Sequence, residues 1–132
     1  MAIRNGSILT GATIAATGGT ASILKSTGLD VPGGVQVTDF SVTDMRLRPT
    51  ITFKSRPATL QRDGSWSKQK VDYTIRMPKV LSDLSVTVNY ASGTISVHPE
   101  STDAEITKLC AWNAQINFGS SFTDFVKNAV TD

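Results

Sequence analysis

The sequence predicts an α+β domain in which the strands come first and the helices last. Three observations lead to this fold class. The chain of 132 residues is long enough for one domain, but a second core would be hard to fit. Residues 45–77 largely alternate between apolar and polar side chains, as strands with one buried face do. From residue 101 onward the apolar residues instead follow helical spacing.

The first third of the chain predicts short strands between turns. Small and β-branched residues near 8–15 and 20–25 indicate two weak strands, which fit a hairpin about the glycine pair at 18–19. A Pro-Gly-Gly turn signal occupies residues 32–34, and a further strand is predicted over residues 35–41.

The middle of the chain predicts two amphipathic strands. Over residues 45–57 the odd positions are mostly apolar and the even positions are basic or hydroxylated. Pro49 interrupts the apolar row, which suggests an edge strand or a bulge. The alternation returns over residues 68–77, after an Asp63-Gly64 turn. The two strands are expected to pair antiparallel, with both basic rows on one side of the sheet if both apolar rows pack on one core.

The last third predicts one more β region and two helices. Over residues 84–97 the apolar parity changes near 92–93, which indicates either a bulge or a tight turn. A helix is predicted to start with Ser101 or Thr102 as its N-cap, because acidic residues follow in the first turn. It is expected to stop at residues 118–120, before a second short helix.

Basic charge is concentrated in the middle of the chain. Residues 46–79 contain nine basic and two acidic residues, a local charge of +7, whereas the rest of the chain carries −5. A cationic segment in a nearly neutral chain is typical of a surface that binds a polyanion. A solvated basic face without a partner fits the charge about equally well.

The sequence gives little support for a catalytic site or a metal site. One cysteine and one histidine are too few for most zinc sites, and a single cysteine rules out an internal disulfide. Cys110 is predicted to be a small core residue, and His98 a surface or interface residue rather than a general base, because no carboxylate motif accompanies it in the sequence. The sequence therefore predicts no enzyme, no metal and no cofactor. It also shows no transmembrane run and no signal peptide, and a reducing cytosol suits its cysteine usage.

Self-association is predicted from the balance of elements. Two short helices are little cover for five or more strands, and the basic face must stay wet. A partner copy is therefore expected to complete the core.

Three stretches together resemble the coat proteins of single-stranded RNA bacteriophages of the levivirus type. The stretch YTIRMPKV at residues 73–80 is similar to that family's central strand. YASGTISV at residues 90–97, followed by STDAE at 101–105, is similar to its last strand and first helix. LKSTGL at residues 24–29, ending at Gly34-Val35, is similar to the link between its N-terminal hairpin and its sheet.

The resemblance covers nearly the whole chain and implies one coat-protein domain over residues 1–132. Its parts would be an N-terminal β-hairpin (1–25), a five-stranded antiparallel sheet (35–98) and two C-terminal helices (101–132). In that family two chains interlock, so that each helix pair covers the partner's sheet. The resemblance also implies an icosahedral shell in the virion, assembled in the host bacterial cytoplasm. The sheet would face inward toward genomic RNA and bind an RNA hairpin as a translational repressor, with no membrane partner.

The RNA-binding residues predicted here combine the basic rows with the family resemblance. Residues that match the family's RNA-facing positions are Thr52, Lys54, Arg56, Thr74, Arg76, Tyr90 and Ser92. The basic rows add Arg46, Arg48 and Lys70. The resemblance implies that Tyr90 stacks on an unpaired loop base, that Ser92 contacts the same nucleotide, and that Thr94 and Ser96 face the RNA too.

Two connections depart from the family pattern. The segment between Val80 and Tyr90 is short, although the corresponding family loop lines the symmetry axes of the shell. The connection between the two amphipathic strands is longer than usual. Lys54 also stands where a small hydroxylated residue is common.

An alternative function is a non-capsid RNA-binding regulator that uses the same basic sheet face.

Overall fold

The computed structural model describes residues 8–11, 17–118 and 122–129. The chain divides into two compact units. One unit, Gly19–Pro99, contains a five-stranded antiparallel sheet, and the other combines Met1–Gly18 with Glu100–Asp132 and contains two helices. This is the α+β order that the sequence predicts.

The strands of the sheet lie side by side in chain order, and every neighbouring pair is antiparallel. They are β1 (Leu24–Ser26), β2 (Gly34–Asp39), β3 (Thr50–Arg56), β4 (Gln69–Val80) and β5 (Val86–Val97). The antiparallel pairing of the two amphipathic strands is confirmed, since β3 pairs with β4. β4 and β5 continue past the start of β3, so their outer rungs form a two-stranded ribbon.

The predicted N-terminal hairpin lies partly outside the described residues, because residues 12–16 are not described. Residues 8–11 and 17–23 contain no strand. The strand expected at 20–25 is the short β1, which covers only Leu24–Ser26 and pairs with β2.

The first amphipathic strand begins later than its alternation suggests. Met45–Leu47 form a single turn of 3-10 helix, and β3 starts only at Thr50. The Asp44 side chain caps this turn by accepting a hydrogen bond from the Arg46 N–H at 2.9 Å. Pro49 therefore precedes the strand, and β3 is the central strand of the sheet. The expectation of an edge strand or a bulge at Pro49 is wrong.

The parity change near residues 92–93 is neither a bulge nor a turn. β4 and β5 pair one to one from Gln69–Val97 to Val80–Val86. A Cβ on Gly93 would lie 2.5 Å from the hydroxyl oxygen of the opposing Tyr73. The Tyr73 ring thus fills the place of a β5 side chain on the apolar face. Because the strand is continuous, Val86 and Val88 lie on the side of Tyr90 and Ser92, whereas Ile95 and Val97 lie on the side of Gly93, and this produces the parity change.

The helical unit contains α1 (Asp103–Phe118) and α2 (Thr123–Asn128). The Thr102 hydroxyl accepts a hydrogen bond from the Glu105 N–H at 3.2 Å, so Thr102 is the N-cap of α1. The Gln115 side chain binds the backbone of Leu9 twice, at 2.8 and 2.9 Å, which attaches the N-terminal segment to α1. In the described part of the chain, neither helix combines the length and the apolar character needed to cross a membrane.

Few apolar side chains are buried within the single chain. Across residues 8–11, 17–118 and 122–129, the sole buried hydrophobic residue is Phe122, which is 9% exposed. Cys110, predicted to be a core residue, is exposed. The apolar rows of the strands and helices therefore remain available for association.

Candidate nucleic-acid interface

One face of the sheet carries the polar and basic rows of four strands. Residues directly opposite each other on antiparallel strands share a face. The register gives four rungs on this face: Thr38–Thr50–Arg76–Tyr90, Gln36–Thr52–Thr74–Ser92, Gly34–Lys54–Asp72–Thr94 and Arg56–Lys70–Ser96. We call this surface the four-rung face. It brings together eight of the ten predicted site residues, all except Arg46 and Arg48.

The first rung holds an aromatic side chain beside a cation. Tyr90 lies opposite Arg76, and the Arg76 guanidinium carbon is 5.5 Å from the centre of the Tyr90 ring. Such a cation–π contact stabilises the pair by roughly 0.5–1 kcal/mol at an exposed site. Tyr90 is nevertheless 66% exposed. The ring is thus oriented by its neighbour while much of its surface stays open to a ligand.

The second rung is made of hydroxyl and amide groups. The Gln36 side-chain amide donates to the Thr52 hydroxyl at 3.4 Å. Thr74 and Ser92 follow on the same rung, and neither makes a side-chain hydrogen bond to another described residue. These hydroxyl groups can therefore donate to or accept from a bound molecule.

The third and fourth rungs hold most of the charge. Asp72 accepts a hydrogen bond from the Thr94 hydroxyl at 2.5 Å, and it lies 3.7 Å from the Arg56 guanidinium. It also sits directly opposite Lys54. The face is therefore cationic with one carboxylate at its centre, and that carboxylate offsets part of the field of its neighbours.

Arg46 and Arg48 lie outside the four rungs. Arg46, in the 3-10 turn, forms an ion pair with Asp44 at 3.0 Å, and the hydrogen bonds of this pair lower the pKa of Asp44 below its ordinary value of 3.8. Arg48 donates to the Val42 carbonyl at 2.7 Å, and its guanidinium carbon lies 5.1 Å from the Phe40 ring centre. Their expected place on the first amphipathic strand is wrong, because that strand starts after Pro49.

The interface also includes residues that sequence reasoning missed. β2 contributes Gln36 and Thr38 to the rungs. The Thr38 hydroxyl is already used, because it donates to the Pro49 carbonyl at 2.7 Å. The signal was present, since the short β2 sequence alternates apolar valines with these polar residues.

The opposite face of the sheet is apolar. One of its rungs is Val35–Phe53–Tyr73–Gly93, and the next is Val37–Ile51–Ile75–Ala91. Val35 and Phe53 remain 44% and 45% exposed. A pocket of about 380 Å³ opens beside them and is lined by Val71 and Tyr73 as well. This face lacks enough cover from its own unit to be a finished core.

Metal-ligand clusters are absent from residues 8–11, 17–118 and 122–129, where no three histidine, cysteine, aspartate or glutamate side chains converge. The four-rung face is a polar, cationic surface that carries an aromatic side chain.

Comparisons with solved structures include two virus-like particles of bacteriophages. No family model and no curated protein matches the chain. The chain is similar to the solved virus-like particle of bacteriophage GQ-907, with 31% identity over 98% of each chain and a TM-score of 0.88. It also shares the fold of the virus-like particle of bacteriophage AVE019, with a TM-score of 0.63 over 86% of this chain and 97% of that chain, at 17% identity.

Proposed function

Since this chain belongs to the coat proteins of single-stranded RNA bacteriophages, we propose that its four-rung face binds the RNA that the shell encloses. A coat protein of this family forms the capsid, and its place is in the virion. The single observation that carries the proposal is the sheet register, which gathers Lys54, Arg56, Lys70 and Arg76 on one face with Tyr90. Assembly in the host cytoplasm would give the protein access to newly made genomic RNA.

An interlocked homodimer accounts for the unfinished apolar surfaces of both units. In the sheet unit the Val35–Phe53 rung is nearly half exposed, and in α1 the stripe Leu109, Trp112 and Ile116 is 40–46% exposed. Burying apolar surface stabilises an association by roughly 25 cal/mol per Å². We infer that the helices of each copy cover the apolar face of the partner's sheet, which leaves the four-rung face open.

Affinity for RNA would come mainly from the cations. Lysine and arginine side chains that contact phosphates release counterions, which gives binding with little sequence preference and a strong salt dependence. Asp72 would keep phosphates away from the centre of the face by like-charge repulsion.

Recognition of one RNA hairpin would come from the first two rungs. An exposed tyrosine is a stacking platform for an unpaired base, worth about 1–3 kcal/mol per base. The neighbouring hydroxyl groups of Thr74 and Ser92 are able to hydrogen-bond to the edge or sugar of that nucleotide. Tight binding of a hairpin that overlaps a gene start would make the same dimer a translational repressor.

The proposal is tested by two substitutions with matched controls. Tyr90→Ala should weaken binding to a selected hairpin by about 5- to 150-fold, because it removes the ring on which one base stacks. Tyr90→Phe, which keeps the ring, should retain most of that affinity. Lys54→Ala should make the plot of log affinity against log salt concentration shallower by about 0.7 for a single strand, and Lys79→Ala should not, because Lys79 lies on the opposite side of β4.

The results of particle and RNA-binding assays distinguish a capsid protein that packages RNA from a regulator that only binds it. Nuclease-resistant particles containing RNA, seen by electron microscopy with a matching absorbance ratio, would support packaging. Tight hairpin binding without any particle would favour the regulator. Particles that contain no RNA and dimers that bind none would overturn the assignment of the four-rung face.

A further inference from the structure

The β3–β4 connection, residues 57–68, extends the β3–β4 strand pair past the Arg56–Lys70 rung of the four-rung face. Leu60 and Trp66 form an isolated antiparallel bridge within it. Arg56 opposes Lys70 at the end of the sheet, and Leu60 opposes Trp66 four residues further along each strand, so the offset is the same. An even spacing preserves the side of a strand. Trp66 therefore lies on the side of the β3–β4 strand pair that carries Arg56 and Lys70.

Hydrogen bonds fix the shape of this extension. The Ser67 N–H donates to the Thr59 carbonyl at 2.9 Å, and the Thr59 N–H donates to the Ser67 hydroxyl at 2.8 Å. The turn at its tip is closed by the Gln61 N–H, which donates to the Ser65 carbonyl at 2.8 Å. Trp66 is thus carried on an ordered hairpin arm rather than on an irregular loop.

The surroundings of Trp66 favour a polyanion. Trp66 is 48% exposed, and the arm also exposes Arg62 and Lys68. Its one acid, Asp63, accepts hydrogen bonds from the backbone and hydroxyl of Ser65 at 3.0 and 2.6 Å. An aromatic ring between cations is typical of a surface that tracks single-stranded nucleic acid.

Packing against Leu60 does not account for the exposed part of the Trp66 ring. Leu60 and Trp66 stabilise the arm as a cross-strand pair. Leu60 is 63% exposed, however, and about half of Trp66 remains open, so this pairing does not bury the ring. Lysine is depleted at protein–protein interfaces, so Lys68 and Lys70 near the ring favour a polyanion over a protein partner.

We propose that Trp66 is a second base-stacking platform, which holds an unpaired base of single-stranded RNA while Lys68 and Lys70 contact the flanking phosphates. This inference rests on the proposed function of the four-rung face and extends it. Arg76 lies ten positions after Trp66 along the arm and β4, a span of roughly 30 Å for extended chain. The two platforms therefore bind different nucleotides, so their contributions are separable.

Fluorescence provides a direct test. The chain has two tryptophans, Trp66 and Trp112, and Trp112→Phe leaves Trp66 as the sole reporter. Titrating the intact Trp112→Phe chain with a short oligouridylate should quench its fluorescence saturably, because a stacked base contacts the indole ring. Binding without any change in Trp66 fluorescence would overturn the inference.

Substitutions give an independent measurement on the same probe. Trp66→Leu should weaken oligouridylate binding by about 5- to 150-fold, and Trp66→Phe should keep most of the affinity. Equal RNA affinity of the wild type and Trp66→Leu would exclude stacking. If Trp66→Leu also reduced particle assembly at unchanged RNA affinity, the arm would be assigned to a contact with another protein. If the wild type binds RNA through Tyr90 while Trp66 has no effect, this inference alone fails. If the wild type binds no RNA, the proposed function fails with it.

Discussion

The two connections that flank β4 contain the same kind of five-residue turn, at residues 61–65 and 81–85. In each, the first residue's N–H donates to the carbonyl of the fifth at 2.8 Å. The aspartate at the third position accepts hydrogen bonds from the N–H and the hydroxyl of the serine at the fifth position, at 3.0 and 2.6 Å. The fourth residue has a positive φ, 86° at Gly64 and 70° at Leu84. Three equivalent hydrogen bonds thus hold a glycine in one turn and a leucine in the other, and the Ser65 hydroxyl also donates to the Gln61 side chain at 3.0 Å.

The difference lies in what each turn presents. Gly64 adopts this conformation without strain, whereas a leucine there costs about 1–2 kcal/mol. Leu84 is also 80% exposed, so packing within the chain does not offset that cost. Leu81 and Val86 beside it are 42% and 36% exposed. A strained, exposed and apolar tip indicates contact with another protein, whereas the arm around Trp66 is cationic. Because the two turns share a backbone conformation, the kind of molecule each one would contact depends on their side chains.

The largest expected effect comes from placing a charge on the apolar tip. Leu84→Asp should leave dimers intact but strongly reduce particle yield, since a carboxylate in a desolvated contact costs about 2 kcal/mol or more. Size-exclusion chromatography and electron microscopy measure the yield. Leu84→Met is the matched control, because it keeps an apolar side chain at the tip, and it should still assemble. Wild-type yield from Leu84→Asp would remove the assembly role from this turn.

The contrast between the turns also shows what a sequence reveals. Asp63-Gly64 is a recognisable turn signal, so the β3–β4 hairpin and its aligned basic rows were predictable. Leu84 gives no such signal, because its positive φ follows from hydrogen bonds between neighbours rather than from its own preference. The Tyr73 ring over Gly93 and the 3-10 turn before Pro49 escaped prediction for a similar reason: cross-strand filling and local capping override the alternation.

Exchanging the fourth residues should produce a moderate change in stability. Gly64→Leu should lower the free energy of unfolding by roughly 0.5–1 kcal/mol, because the strain of the left-handed conformation exceeds the entropy that glycine loses on folding. Leu84→Gly should raise it by a similar amount. Urea denaturation at one fixed protein concentration measures both, and the double exchange should nearly cancel. Changes of the same sign in both variants would show that the two turns differ beyond this one position.

The smallest expected effect is a matched response of the two turns to acid. Hydrogen bonds from the hydroxyl and then the N–H of the following serine hold the pKa of Asp63 and Asp83 below the ordinary value of 3.8. A lowered folded-state pKa stabilises the turn above pH 3.8, and that contribution is lost as the pH falls through the folded-state pKa. Carboxyl NMR titration should place both midpoints below 3.8, and Ser65→Ala or Ser85→Ala should raise the midpoint only in its own turn. A shift that appeared in both turns after one substitution would contradict the local origin of the effect.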